Sequence, residues 1–112
     1  MIIALDIDDT ISANPKFFSF LSHAAVNAGY TVIIITYREN REIAMQDLEE
    51  WGIAWDKLFT ATMEDLDTHG FNKWKSHICR EEGVNVFFED MIEVLDHVDE
   101  SVTKFLVGAL TA

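Results

Sequence analysis

Short apolar runs and helical repeats alternate along this chain. Ile2, Ile3, Leu5 and Ile7 make Met1–Ile7 a strand that is apolar on both faces, as at the centre of a parallel sheet. Asp8–Ala13 reads as a polar loop. Asn14 is placed to cap a helix with Pro15 at its first position, where a missing N–H costs nothing. Phe17, Phe18, Leu21, Ala24, Ala25 and Ala28 then recur at helical spacing until Gly29. Thr31–Ile35 is a second, β-branched strand ending at Thr36. The loop Tyr37–Asn40 leads to a helix with Ile43, Ala44, Leu48 and Trp51 on one face and Gly52 at its end. Lys57–Thr60 reads as a short third strand and Met63–Gly70 as an acidic loop. A helix over Lys73–Glu82 stops at Gly83. A fourth strand covers Val84–Phe88, a helix Asp90–Val98, and a fifth strand Thr103–Val107. Strands alternating with helices predict an α/β fold: a three-layer α/β/α, Rossmann-like domain on a five-stranded parallel sheet with right-handed crossovers.

Composition narrows this picture. The 112 residues carry 20 Asp and Glu against 8 Lys and Arg, a net charge of −12, yet 49% of them are hydrophobic. A chain of this size exposes roughly 6,300 Å² folded against roughly 18,500 Å² unfolded, enough burial for one domain over residues 1–112. That apolar content excludes an acidic disordered tail. Too few cations are present to neutralise a run of phosphates, so a nucleic-acid partner is not expected. No apolar run is long enough to span a bilayer, and Asp6, Asp8 and Asp9 interrupt the apolar start before a signal peptide could form. The lone cysteine, Cys79, permits no internal disulfide and fits a reducing, cytoplasmic setting.

Ligands in open α/β sheets bind outside the carboxyl ends of the strands. Here those ends offer Asp6-Ile7-Asp8-Asp9-Thr10, Thr36 and Glu89-Asp90, with Lys73 and Lys75 on the helix before the fourth strand. Two residues apart on extended backbone, Asp6 and Asp8 point the same way while Leu5 and Ile7 stay in the core. Carboxylates so close repel, and burial adds a desolvation cost. A divalent cation relieves both, and hard oxygen donors suit Mg²⁺.

These residues resemble the haloacid dehalogenase-like (HAD) superfamily of aspartate-nucleophile phosphatases. Four motifs match in order over nearly the whole chain: IIALDIDDT (Ile2–Thr10), the Thr36 that ends VIIIT, a lysine ahead of the fourth strand, and Glu89-Asp90 in VFFED. The resemblance implies a nucleophilic Asp6 and an Asp8 that protonates the leaving oxygen and then activates water. It implies a Thr36 that bonds a phosphoryl oxygen and a lysine that neutralises transition-state charge. Lys75, 15 residues before Asp90, is favoured for that role over Lys73. Mg²⁺ would lie among Asp6, the Asp8 backbone, Asp90 and Glu89, where Glu89 departs from the more usual Asp. Thr10, Tyr37, Arg38 and Lys73 are expected at the substrate. An acid at Asp8 points to phosphate esters, since dehalogenating relatives lack one there.

The intervals between motifs leave no room for a cap domain, so the resemblance is to the capless branch, with an open site for a phosphorylated small molecule or phosphopeptide. A second subunit of the same chain could cover that site. A phosphotransferase using the same chemistry and a catalytically retired binding domain are the alternatives. A signalling receiver domain would need an acceptor Asp after the third strand, where this chain has Leu58-Phe59-Thr60-Ala61, and a lysine where it has Val107-Gly108-Ala109. Trp51 reads as packing, whereas Trp55 and Trp74 are candidates to touch substrate. His23, His69, His77 and His97 show no zinc-type spacing with Cys79 and read as surface or boundary residues.

Overall fold

A computed structural model describes residues 1–108; Ala109, the last residue of the segment compared with a receiver lysine, lies outside them. Its five strands are β1 (Ile2–Leu5), β2 (Thr31–Thr36), β3 (Lys57–Thr60), β4 (Val86–Glu89) and β5 (Thr103–Leu106). They form one all-parallel sheet in the order β3-β2-β1-β4-β5. The order reverses beside β1, so the crevice between the carboxyl ends of β1 and β4 is the switch point.

Alternation along the strands divides the core. Ile3, Leu5, Ile7, Val32 and Ile34 pack on Phe18 and Ala25 of α1 (Pro15–Asn27) and on Ala44 and Leu48 of α2 (Arg41–Glu50). Ala4, Ile33, Ile35 and Phe87 face the other way, onto Trp74 and Cys79 of α4 (Phe71–Glu82) and Val94 and Leu95 of α5 (Ile92–Leu95). The result is three layers, as the alternation of strand and helix patterns predicts. Among the described residues no further unit is inserted between these elements, and no helix is long and apolar enough to cross a membrane.

Several boundaries differ from the sequence reading. The segment Met63–Gly70 is not a loop: Met63–His69 forms helix α3. Thr62 and Asp65 close a capping box, with Thr62 Oγ1 accepting the Asp65 N–H at 3.1 Å and Asp65 Oδ2 accepting the Thr62 N–H at 3.2 Å. The acidic residues that suggested a loop, Glu64 and Asp65, lie in the first turn, where the helix dipole favours them. Next, the first strand ends at Leu5. Ile7–Ile11 is a tight π-type turn, with Asp9 at φ 62° and its N–H held by Ser12 Oγ at 2.8 Å. Aspartate is one of the few residues that tolerate that region. Finally, the helix after β4 is confined to Ile92–Leu95, and β4 begins two residues later than its apolar run. Asn85, just ahead of β4, still bonds both neighbouring strands, its N–H to the Ile2 carbonyl at 2.9 Å and its carbonyl to the Thr103 N–H at 2.8 Å, while its side chain accepts the Ile2 N–H at 2.7 Å.

The capping box carries a prediction. Thr62→Ala should cost about 1 kcal/mol of stability. It should also speed amide exchange across 63–69 well ahead of the rest of the fold. Unchanged exchange there would show that α3 does not depend on its cap.

Candidate functional site

The backbone of β1 continues one hydrogen bond past its last residue. Asp6 N–H donates to the Phe88 carbonyl at 3.1 Å, which sets Asp6 beside the end of β4. The π-type turn then folds Thr10 back, so that its hydroxyl donates to Asp6 Oδ2 at 3.0 Å, with Asp90 Oδ1 at 3.4 Å. From α4, Lys75 reaches the same point. Its Nζ lies 2.7 Å from Asp6 Oδ1 and 2.7 Å from Glu89 Oε2. The lysine side chain is 1% exposed, Asp6 6% and Glu89 0%. Glu89 Oε1 accepts the N–H groups of Asp90 and Met91 at 3.0 and 3.2 Å. The Tyr37 ring lies under the ammonium, 4.4 Å from Nζ to its centroid, and its hydroxyl donates to the Phe71 carbonyl at 2.6 Å.

One ammonium thus faces three carboxylates, and the electrostatics follow. Burial, reinforced by the charge of Glu89 and opposed by Lys75, raises the Asp6 carboxyl to about 8. Burial raises Glu89 as well, against the pull of Lys75. Asp90 also feels burial, but hydrogen bonding with Asp6 and Glu89 brings it below its ordinary value. Tyr37 is held neutral by burial and by the adjacent Glu89 and Asp6 charges. Oxygens of Asp6, Glu89 and Asp90 lie within 4.8 Å of one another. An all-oxygen donor set of this kind, with more negative charge than Lys75 balances, fits a hard divalent cation.

These groups open into a small cleft of about 170 Å³ whose walls include Asp6, Asp8, Tyr37, Lys75, Asp90 and Met91. Asp8 stands at its exposed rim, clamped by Arg38: Nε to Oδ2 is 3.0 Å and Nη2 to Oδ1 is 2.8 Å. The same guanidinium bonds Asp47 Oδ2 at 2.6 Å. Hydrogen bonding to Asp8, set against burial, moves the Arg38 pKa further up.

The predicted residues therefore separate. Asp6, Asp8, Tyr37, Lys75, Glu89 and Asp90 meet at one cleft. Thr36 ends β2 nearby but is buried and is not part of the cleft wall; its Oγ1 accepts the Arg38 N–H at 3.2 Å. Thr10 is buried too, and its hydroxyl holds carboxylates instead of facing solvent. Arg38 touches the rim through Asp8. Lys73 is not brought there: it lies on another face of α4, in a cleft with His69 and His77. Trp74 is buried in the core, and Trp51 and Trp55 pack against the opposite face of the sheet. Burial pushes the Cys79 thiol up to about 12, which suits packing and not nucleophilic work.

Sequence reasoning missed three contacts: the Arg38 clamp on Asp8, the seat of Lys75 on Tyr37 and the backbone grip on Glu89. The first two join residues from different elements, with Arg38 and Asp8 30 positions apart, whereas the third is local, reaching one and two residues beyond Glu89.

Two variants test the buried cluster. Lys75→Met leaves Asp6 and Glu89 buried with no counter-charge, and should cost about 3–5 kcal/mol. Asp6→Asn replaces the titrating carboxyl with a neutral amide of the same shape. Because the Asp6 carboxyl sits at about 8 in the fold, the native state holds a proton that the unfolded chain releases near pH ~4. Its stabilisation is complete below that value and is lost as pH rises through the folded pKa. Melting of metal-free protein should therefore fall between those limits, and Asp6→Asn should flatten the fall. An identical slope in the variant would remove Asp6 as its cause.

Comparison with protein-family models, curated proteins and solved structures returned no match to this chain, so the chemistry of the site rests on its own residues.

Proposed function

We propose that this chain is a Mg²⁺-dependent phosphomonoester hydrolase that works through an aspartyl phosphate on Asp6. The observation that carries this reading is the Asp6 carboxylate at the switch point, 2.7 Å from the Lys75 ammonium and within 4.8 Å of Glu89 and Asp90 oxygens. A buried carboxylate with a fixed cation beside it can approach an anionic phosphate, which an isolated carboxylate cannot.

Asp6 and Asp90 would hold the ion, with the Asp8 backbone close by; Glu89 is engaged by Lys75 and two N–H groups and acts by fixing the lysine. Mg²⁺ supplies charge neutralisation for nucleophile and phosphate. Asp6 attacks phosphorus through a carboxylate oxygen as the ester P–O bond breaks, and the leaving oxygen takes a proton from Asp8. Water then attacks phosphorus and gives its proton to Asp8. The P–O bond to Asp6 breaks, which regenerates the carboxylate and releases phosphate. Lys75 faces the charge that develops throughout, and Thr10 keeps Asp6 aimed. Thr36 would hold the turn at Arg38 in place beside the site, its hydroxyl oxygen accepting the Arg38 N–H.

The small cleft fits a phosphoryl group and leaves the rest of the substrate outside. A phosphorylated small molecule or phosphopeptide suits such an open rim, and a second copy of the chain could close it. The buried, lone Cys79 is in keeping with a cytoplasmic location. The Arg38 clamp favours one second reading, a phosphoryl-binding domain without turnover, because Asp8 must leave the guanidinium to act as an acid.

Turnover of an aryl phosphate distinguishes the two readings. Hydrolysis should require Mg²⁺, disappear in Asp6→Asn and fall roughly 10²–10⁴-fold in Asp8→Asn. Activity that survives Asp6→Asn would overturn the nucleophile. Saturable binding of the aryl phosphate without any hydrolysis would establish the second reading.

A further inference from the structure

On the outer side of α4, away from Lys75, an open cleft of about 410 Å³ lies between α3, α4 and the turn after α5. Its walls carry Lys73, His77 and Arg80 from α4, His69 from the end of α3, and His97 just beyond α5. Lys73, His77 and Arg80 follow at i, i+4 and i+7, so they form one stripe on the helix. Among the described residues no carboxylate lines the cleft, although the chain carries 20 Asp and Glu and a net charge of −12. Three of the four histidines gather here, and the His69 and His77 rings stack with centroids 4.0 Å apart.

The neighbouring acids stand outside the wall. Glu81 lies 3.7 Å from His77, and Asp99 pairs with Arg80 at 3.2 Å. Both contacts are solvent-exposed and so hold their partners weakly. The Ser76 hydroxyl donates to the Lys73 carbonyl at 2.8 Å and is already engaged. A metal ion is disfavoured. Among the described residues the metal-type group lies at Asp6, Glu89 and Asp90, and no three such donor atoms converge in this cleft. Lysine and arginine beside the imidazoles would also repel a cation.

What the cleft does offer is N–H donors and positive charge converging from three elements on a space of ligand size. We propose that it binds a phosphate-type dianion, either free or as the terminal group of a larger ligand, at a site separate from the carboxylate edge. The site shares no residue with the hydrolase centre, and neither proposal depends on the other.

The test is NMR of the histidine imidazoles in the full chain, freed of divalent ions with EDTA. Inorganic phosphate is added in one arm and O-phosphoserine in the other, at constant ionic strength and pH. His23 bonds the Gly52 carbonyl on another surface and is the internal control. The expected result is saturable shifts at His69, His77 and His97 with His23 unmoved. Combining Lys73→Ala with His77→Gln should weaken binding by about tenfold or more, whereas Lys73→Arg should keep most of it. A tighter phosphoserine arm would assign the dianion to a larger ligand, and equal arms would assign free phosphate. Linear shifts, shifts shared by His23, or undiminished binding in the folded double variant would overturn the proposal. None of these outcomes bears on Asp6.

Discussion

The buried ammonium of Lys75 is the contact on which this architecture turns. It lies between Asp6 and Glu89, 2.7 Å from each, with almost no water reaching any of the three. Without it, two carboxylates at the centre of the sheet would be desolvated and mutually repelling. With it, β1, β4 and α4 are tied at one point, and that point is the switch of the strand order. The pairing is incomplete in charge, since Asp90 brings a third carboxylate and, among the described residues, no second cation lines the cleft. Asp6 is raised, chiefly by burial and further by the Glu89 charge, whereas, against burial, hydrogen bonding with Asp6 and Glu89 lowers Asp90. On the proposed reading, the charge imbalance is what would draw a cation to the site and, with it, a phosphate.

The rest of the fold serves this geometry by holding backbone in place. Glu89 is gripped by two main-chain N–H groups, Asp6 by Thr10 and by the ladder to Phe88, and Tyr37 by the Phe71 carbonyl. Few of the side chains at the edge depend on a flexible tail for their position. Asp8 is the exception: it lies at the rim in an ion pair with Arg38, exposed enough to exchange partners. Mobility and rigidity are thus divided between the two aspartates of the first strand end, one locked and one releasable.

Much of the layout was legible in the chain. Unbroken β-branched runs mark strands buried on both faces, and glycines end the helices, so the number and parallel arrangement of strands follow from pattern, while their order in the sheet does not. Asn14 caps α1 as its position before Pro15 suggests, accepting the Phe17 N–H at 3.2 Å. The carboxylates at the ends of the first and fourth strands were legible because strand ends and sheet edges coincide in parallel folds. α3 was not. It buries no residue of its own, so it shows no hydrophobic period, and only the Thr62–Asp65 cap announces it. The turn Ile7–Ile11 was hidden for a different reason: a left-handed Asp9 has no hydrophobic signature.

The sequence by itself determined the layers, the sheet and the set of charged groups delivered to its carboxyl edge, because periodicity and chain connectivity are local properties. Only the tertiary structure decided between Lys73 and Lys75 as the residue that reaches Asp6. Two residues apart on a helix, they face nearly opposite directions, and the packing of Trp74 and Cys79 into the core sets which one turns inward. It also decided that Arg38 clamps Asp8 and that three scattered histidines share one cleft. Those outcomes depend on distances between elements far apart in the chain, which no local pattern encodes.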